Sequence, residues 1–327
     1  MSDLIFAIEA VVIGIAATLF IYWAANAVVT RLPQGAADAL QPWVFIGPVV
    51  LLITLFLVYP SIQTLRLSFM EEDIAGNTTF IGLDNYKSLF ADETFIQMLT
   101  NNLLWIVFVP ITVVVLALIV AQFANQVGPL REKIFKSIIF MPMAISFISA
   151  STIWRLLYAY NAEGSTQVGV FNAIVTKLGM DPQPWVSIET FKLNTILLMV
   201  IFVWLNVGYS MVLLSAAIKA VPEETIEAGR VDGANAWQIF SKVILPQIWT
   251  TALAVFITTL IGAMKVFDIV LAMTGGNFNT NVLAQNFYLE YFIYGNTGRA
   301  MATVVILMLA IMPVMIYQVR HYRKLEA

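Results

Sequence analysis

The sequence predicts an all-α integral membrane protein with about seven transmembrane helices. Of its 327 residues 60% are hydrophobic, only 11% are charged, and apolar stretches recur along nearly the whole chain. One bilayer crossing needs about 20 such residues, and so few charges could not surround a soluble core. Little chain remains for a sizeable extramembrane domain. With no cysteine the chain has neither disulfides nor thiolate metal sites. A formal net charge of -3 and no dense run of Lys and Arg exclude nucleic acid as a partner.

In chain order the spans fall at 4–29, 43–60, 102–126, 138–158, 194–217, 248–273 and 300–319. Turn-forming runs break them, among them Pro33-Gln34-Gly35, Asn125-Gln126-Val127-Gly128-Pro129, Asp181-Pro182-Gln183-Pro184 and Gly275-Gly276-Asn277. Alternate loops differ in basic content. Arg31, Arg131, Lys133, Lys136, Lys219, Arg230, Lys242, Arg320, Arg323 and Lys324 lie on one side, against Arg66, Lys87, Lys177, Lys192 and Arg299 on the other. The positive-inside bias puts the richer side and the C-terminus in the cytoplasm and the N-terminus outside. No basic residue precedes the first apolar run, which disfavours a cleaved secretory signal. The outer loop at 61–97 is acidic, with Glu71-Glu72-Asp73, Asp84, Asp92 and Glu93, and reads as a solvated connection rather than a docking surface. The chain divides into the first spans and this loop (1–97), a core (98–318) and a basic tail (319–327).

The cytoplasmic segment 221–246 departs from linker composition and reads as helix, turn, helix. Pro222 suits a first helical position, and Glu223 and Glu224 place negative charge where unpaired N–H groups favour it. Asp232-Gly233 is a turn dipeptide whose Asp can cap a second helix starting near Ala234. Ala236, Ile239, Phe240 and Val243 then form an apolar stripe that ends at Leu245-Pro246. Ala228 and Gly229 leave the first helix thin on one side, while Glu227 and Arg230 offer charged edges. Those residue types fit a helix received by another protein's cleft, and equally a loop packed on its own bundle.

Charge inside a span costs a few kcal/mol, so Lys265 and Asp268 need an explanation. Three apart on the sixth span, they can share one helix face and pair. A structural ion pair and a hydrated substrate path are both open. In the fifth span, Trp204-Leu205-Asn206-Val207-Gly208-Tyr209-Ser210 groups aromatics with an amide and a hydroxyl, a surface that suits sugars but also occurs in bundle cores. No phosphate-cradling loop ending in Gly-Lys-Ser/Thr is present, so any ATP-derived energy comes from another polypeptide. The single histidine, His321, reads as a solvated tail residue. No nucleophile, base or metal cluster marks an enzyme.

The spacing Glu227-Ala228-Gly229, three residues, Gly233, nine residues, Val243-Ile244-Leu245-Pro246 resembles the EAA loop of binding-protein-dependent ABC importer permeases. Gly229 stands where that family usually has Ala, and Val243 where it usually has Ile. Gly82-Leu83-Asp84-Asn85-Tyr86, Phe267-Asp268-Ile269 and Thr274-Gly275-Gly276 are similar to runs in carbohydrate permeases of the maltose-transporter type, so the likeness extends from about residue 43 to the C-terminus. It implies a type I ABC importer permease fold. It also implies a coupling helix over 223–234, carried by Glu223, Glu224, Glu227, Ala228, Gly229, Arg230, Asp232, Gly233 and Ala234, that fits a groove on a separate ATPase. A sugar path at Leu205, Asn206, Tyr209, Gly262, Lys265 and Val266 is implied too, with Asp268 matching the family's Phe-Asp pair. The implied partners are a second permease chain, two ATPase subunits holding ATP and Mg, and an extracytoplasmic solute-binding protein, at a bacterial-type cytoplasmic membrane. The competing reading is an ion-coupled secondary transporter using Lys265 and Asp268.

Overall fold

The computed structural model describes residues 2–72, 76–162 and 164–326. Asp73 of the acidic run lies outside them, as does the side chain of His321. The chain forms two compact units, Met1–Arg66 and Leu67–Ala327. Among the described residues five helices are long and apolar enough to cross a membrane, and two sharply bent helix pairs bring the number to seven, as expected.

In the first unit, α1 (Ser2–Val29) and α2 (Gln34–Ile53) face each other at Tyr22, whose ring stacks on Phe45 with centroids 6.3 Å apart. A π turn at Thr54–Val58 carries α2 into α3 (Tyr59–Leu67), so the second span is longer than expected. Pro60 lacks the N–H that would bond the Phe56 carbonyl, and widening the preceding turn absorbs that loss without ending the helix.

The second unit opens with a hairpin of β1 (Met70–Glu72) and β2 (Thr78–Phe80), followed by α4 (Asp84–Phe90). The connection carries local folded structure while Glu71, Glu72, Asp84 and Glu93 stay exposed. Asn85 Nδ2 donates to the Ser68 and Met70 carbonyls (3.0 and 2.9 Å), and the Tyr86 hydroxyl meets Ser68 Oγ at 2.7 Å. Asp92 caps α5 (Glu93–Ala124) through the Thr94 N–H and also meets Arg299 at 3.2 Å. The Thr94 hydroxyl, then its N–H and Arg299, hold the Asp92 carboxyl below the usual carboxylate value against the opposing push of partial burial.

Helix α5 is the centre of the bundle. Trp105, Val109, Val113, Ala117 and Ala121 recur at every fourth position, all fully buried, and form one ridge that packs against α9 and α13. The ridge tapers from indole to methyl along the helix. In lipid such close packing, rather than escape from water, holds helices together.

The fourth span is not straight. Helix α6 (Pro129–Phe140) runs through a tight turn at Met141–Ala144, the chain extends at Ile145, and α7 (Phe147–Leu157) leaves at 104°. Ser146 caps the new start by accepting the Ser149 N–H. After the short α8 (Val170–Lys177), α9 (Leu193–Lys219) crosses the bundle. Gly208 on α9 is a required glycine: a Cβ there would lie 2.2 Å from the Ile139 carbonyl oxygen.

Beyond α9 come α10 (Glu223–Val231) and α11 (Ala236–Ile239), the latter continued by a π turn at Phe240–Ile244 and α12 (Leu245–Gln247). The chain then bends by 73° into α13 (Trp249–Met264). The expected sixth span stops at Met264 instead of reaching residue 273. Lys265 and Phe267 take non-helical conformations, and α14 (Asp268–Met273) is a separate short helix. A turn rich in positive φ leads to α15 (Leu283–Tyr288), a π turn at Leu289–Ile293 and the final α16 (Thr297–Glu326).

Replacing Gly208 by Ala should lower the melting temperature of the detergent-solubilised chain, at a cost of about 3 kcal/mol for the forced separation of backbones. Gly14→Ala, at a helical position with nothing within 4 Å and no proline after it, should not lower it.

Candidate functional site

Two features stand out in the second unit: the loop between α9 and α13, and a cavity bounded by those two helices. In the loop, Pro222 precedes α10, Glu223 and Glu224 occupy its first turn and Arg230 its last. Its end is a two-bond C-cap: Gly233, at φ +80°, donates to Arg230 O, and Ala234 donates to Gly229 O, both at 3.0 Å. That arrangement uses up residues 233 and 234, so the second helix starts at Ala236, two residues later than expected, and its cap is Asn235, not Asp232. Asn235 and Gln238 exchange side-chain to backbone hydrogen bonds of 2.9 Å each. The Asn-x-x-Gln spacing was the readable signal for this start. Pro246, expected to end the stripe, lies inside the helical run, which bends two residues later at Ile248.

The two faces of α10 differ. Glu223, Glu224, Glu227, Ala228, Arg230, Asp232 and Gly233 are exposed, while Ile226, Gly229 and Ala234 turn towards the chain's own bundle. A Cβ on Gly229 would sit 3.7 Å from Val243 and 3.8 Å from Ile239. The thin flank at Gly229 therefore seats α10 on its own second helix, and Ala228 is the small residue on the open face. Val231, 87% exposed and three residues on, adds apolar surface beside it.

The base of the loop is tied to the bundle by charge. Glu132 on α6 lies 2.5 Å from both Lys136 and Lys219, and Lys136 also reaches Asn125 Oδ1 at 3.2 Å and Ser215. Lys219 is the last residue of α9, next to the loop. Sequence reading counted both lysines for sidedness but gave Glu132 no role; its four-residue spacing to Lys136 was a readable signal, whereas the contact with Lys219 joins residues distant along the chain.

The cavity, about 290 Å³, lies between α9 and α13. Asn206, Tyr209 and Ser210 line one wall, Thr251 and Thr258 the other, and Phe147 and Phe202 form an aromatic floor with rings stacked 5.5 Å apart. No charged residue lines it. Asn206 donates its amide to Phe202 O (2.8 Å), and Thr258 donates to Ala254 O (2.9 Å). Their remaining acceptor capacity, the half-exposed Tyr209 and the aromatic floor suit a neutral hydroxylated ligand.

Beyond the Phe202 ring lies a small recess of about 40 Å³, which brings together Gly262, Lys265, Val266 and Asp268. Gly262 is shared by the two spaces, and a Cβ there would lie 3.1 Å from the Phe202 ring. Two expectations fail at this point. Leu205 is 4% exposed within the hydrophobic core and reaches neither space. Lys265 and Asp268 do not share a helix face, because the helix breaks between them, and no ion pair joins them among the described residues. Thr251, Thr258 and Phe147 line the cavity yet were missed, since the threonines read as ordinary members of an apolar span and Phe147 sits just past a bend.

The profile of the family described as "Binding-protein-dependent transport system inner membrane component" matches residues 113–327. The chain is 41% identical to the alpha-glucoside transport system permease protein AglF of Rhizobium meliloti (strain 1021), over 98% of each chain. It is 44% identical to the osmoprotective compounds uptake permease protein GgtC of Synechocystis sp., over 86% of this chain and 99% of that one. In fold it is similar to a chain of a bacterial ABC transporter involved in the import of the acidic polysaccharide alginate, with a TM-score of 0.74, 20% identity and coverage of 89% of this chain and 99% of that one.

Proposed function

The chain belongs to the binding-protein-dependent transport system inner membrane component family and is a multi-pass permease subunit of an ABC importer; from that premise we propose that it moves a neutral sugar or glycoside by alternating access, driven through the loop at 223–234. Two copies of a separate ATPase hold ATP and Mg and receive the open face of α10. A second permease chain completes the pathway, whose half on this side is the core at 98–318, and an extracytoplasmic binding protein delivers the substrate. The loop and the C-terminus lie in the cytoplasm and the N-terminus outside, following the distribution of basic residues.

The observation that carries the coupling role is the division of faces on α10. Its inner face is already occupied by Ile239 and Val243, while its outer face presents Glu223, Glu227, Ala228 and Arg230 beside the exposed Val231. The neutral, hydroxyl-lined cavity supports the sugar assignment, in keeping with relatives named for alpha-glucoside and arabinooligosaccharide transport. The ion-coupled alternative, with Lys265 and Asp268 as coupling charges, gives way to membership of the binding-protein-dependent family.

Ala228→Trp should place a bulky ring on the docking face and cut ATP-driven uptake by more than about tenfold, equivalent to about 1.4 kcal/mol, with the subunit still folded. Gly229→Trp should do as much by prying α10 off Ile239 and Val243. Normal uptake by both variants would remove the coupling role. In the cavity, Asn206→Ala and Tyr209→Ala should each slow uptake while leaving assembly intact; unchanged uptake kinetics in both would show that the substrate does not contact this cavity.

A further inference from the structure

Helix α6 has no direct chain connection to the loop at 223–234, since α7, α8 and α9 lie between them in sequence. It is nevertheless held to α9 at two points. One is Gly208, so close to α6 that a Cβ there would lie 2.2 Å from the Ile139 carbonyl oxygen. The other is Glu132, whose Oε1 lies 2.5 Å from the Nζ of Lys219, the last residue of α9. About two helical turns, roughly 10 Å, separate Ile139 from Glu132 along α6. A single point of contact leaves two helices free to pivot, and a second removes that freedom.

Glu132 belongs to a polar cluster in which three helices meet. Lys136, one turn further along α6, also lies 2.5 Å from Glu132 Oε1, and it donates to Asn125 Oδ1 at 3.2 Å and to Ser215 Oγ. Ser215, 1% exposed on α9, donates in turn to Asn125 Oδ1 at 2.6 Å, and Asn125 is the C-cap of α5. The two lysines differ. Lys136 is held by three acceptors, whereas Lys219, its side chain 52% exposed, has Glu132 as its one partner among the described residues. An ion pair so open to water adds little to stability. What it offers is its position, at the root of the loop.

What α6 leads to gives that position a use. Past the bend at Ile145 the chain reaches Phe147, whose ring stacks on Phe202 in the cavity floor, while α9 carries Asn206 and Tyr209 in the cavity wall. We propose that Glu132 is a positioning residue for transport: through Lys219 it makes α6 follow the end of α9 when the loop moves, so that floor and wall shift as one piece. This rests on the ATP-driven reading of the loop given above. Without the contact α6 pivots about Gly208, floor and wall part, and ATP is hydrolysed without delivery of sugar.

The test is the amount of sugar carried per ATP hydrolysed, measured in proteoliposomes holding the complete complex with its binding protein and radiolabelled maltose, trehalose or sucrose, three α-glucosides. A structural defect alone lowers the amount of working complex, so uptake and hydrolysis fall together and the ratio stays. Lys219→Met should lower the ratio by about fivefold or more, the lower end of typical coupling between sites. Glu132→Gln should match it, and Lys219→Arg should keep the unaltered value. The double variant should be no worse than either single one, because both remove the same contact. An unchanged ratio in Lys219→Met and Glu132→Gln overturns the proposal while leaving ATP-driven import intact. So do additive losses in the double variant, which would show Lys219 acting on the ATPase by itself. Should Glu132→Gln fail to assemble, Lys219→Met against Lys219→Arg decides at an exposed position: a ratio lost in the first and kept in the second supports the role, and equal ratios overturn it. An unaltered complex that takes up none of the three sugars overturns the sugar-import reading, and this proposal with it.

Discussion

The architecture depends on how one broken helix is repaired inside a solvent that offers no hydrogen bonds. Lipid cannot satisfy the peptide groups exposed where α13 stops at Met264, so protein must. Asn102, 3% exposed on α5, does this in two directions: its Oδ1 accepts the Leu283 N–H at 2.8 Å, and its Nδ2 lies 3.5 Å from the Met264 carbonyl. One side chain thus joins the end of α13 to the beginning of α15. The recess holding Lys265 and Asp268, the separate α14 and the strained turn at Phe278-Asn279 all lie between those two points in the chain. The buried ridge from Trp105 to Ala121 on the same helix then fixes where α9 and α13 stand, and so where the cavity between them opens.

The helix content and the number of crossings were legible because apolar length is a local property of sequence. So was the turn at Gly233, where the dipeptide chemistry is specific. Directions were not legible. A window of apolar residues reads the same whether the chain runs straight or turns by 104° at Ile145, and Pro142 does not reveal the angle. The same blindness produced the two errors at the site. Three-residue spacing puts Lys265 and Asp268 on one face only if the helix continues, and whether Leu205 points to the cavity or the core depends on which helix lies beside it. Gly229 and Gly208 show the corresponding ambiguity for small residues. Gly229 reads as a thin surface and Gly208 as one member of an aromatic and polar run, and only the packed structure reveals that Gly229 meets Val243 and Gly208 meets the backbone at Ile139.

Loop and cavity are connected through the chain itself. Helix α9 supplies Asn206, Tyr209 and Ser210 to one cavity wall and ends at Lys219, two residues before the loop begins. The loop's second half runs through α12 directly into α13, which supplies Thr251 and Thr258 to the other wall. Helix α10 is thus joined to one wall through α9 and to the other through α11 and α12, and the Glu132 contacts with Lys136 and Lys219 tie α6 to the same base. This continuity gives the proposed docking of an ATPase a mechanical route to the substrate path.

The central claim is that ATP hydrolysis on partner subunits, not an ion gradient, drives movement through this chain. Its most direct test is uptake of a radiolabelled sugar into proteoliposomes holding the purified complex, with binding protein outside and ATP supplied inside. The account predicts uptake that requires internal ATP, continues when a protonophore collapses the proton gradient, and is accompanied by an ATPase recovered with the chain. Uptake that proceeds without ATP and stops with the protonophore would contradict it.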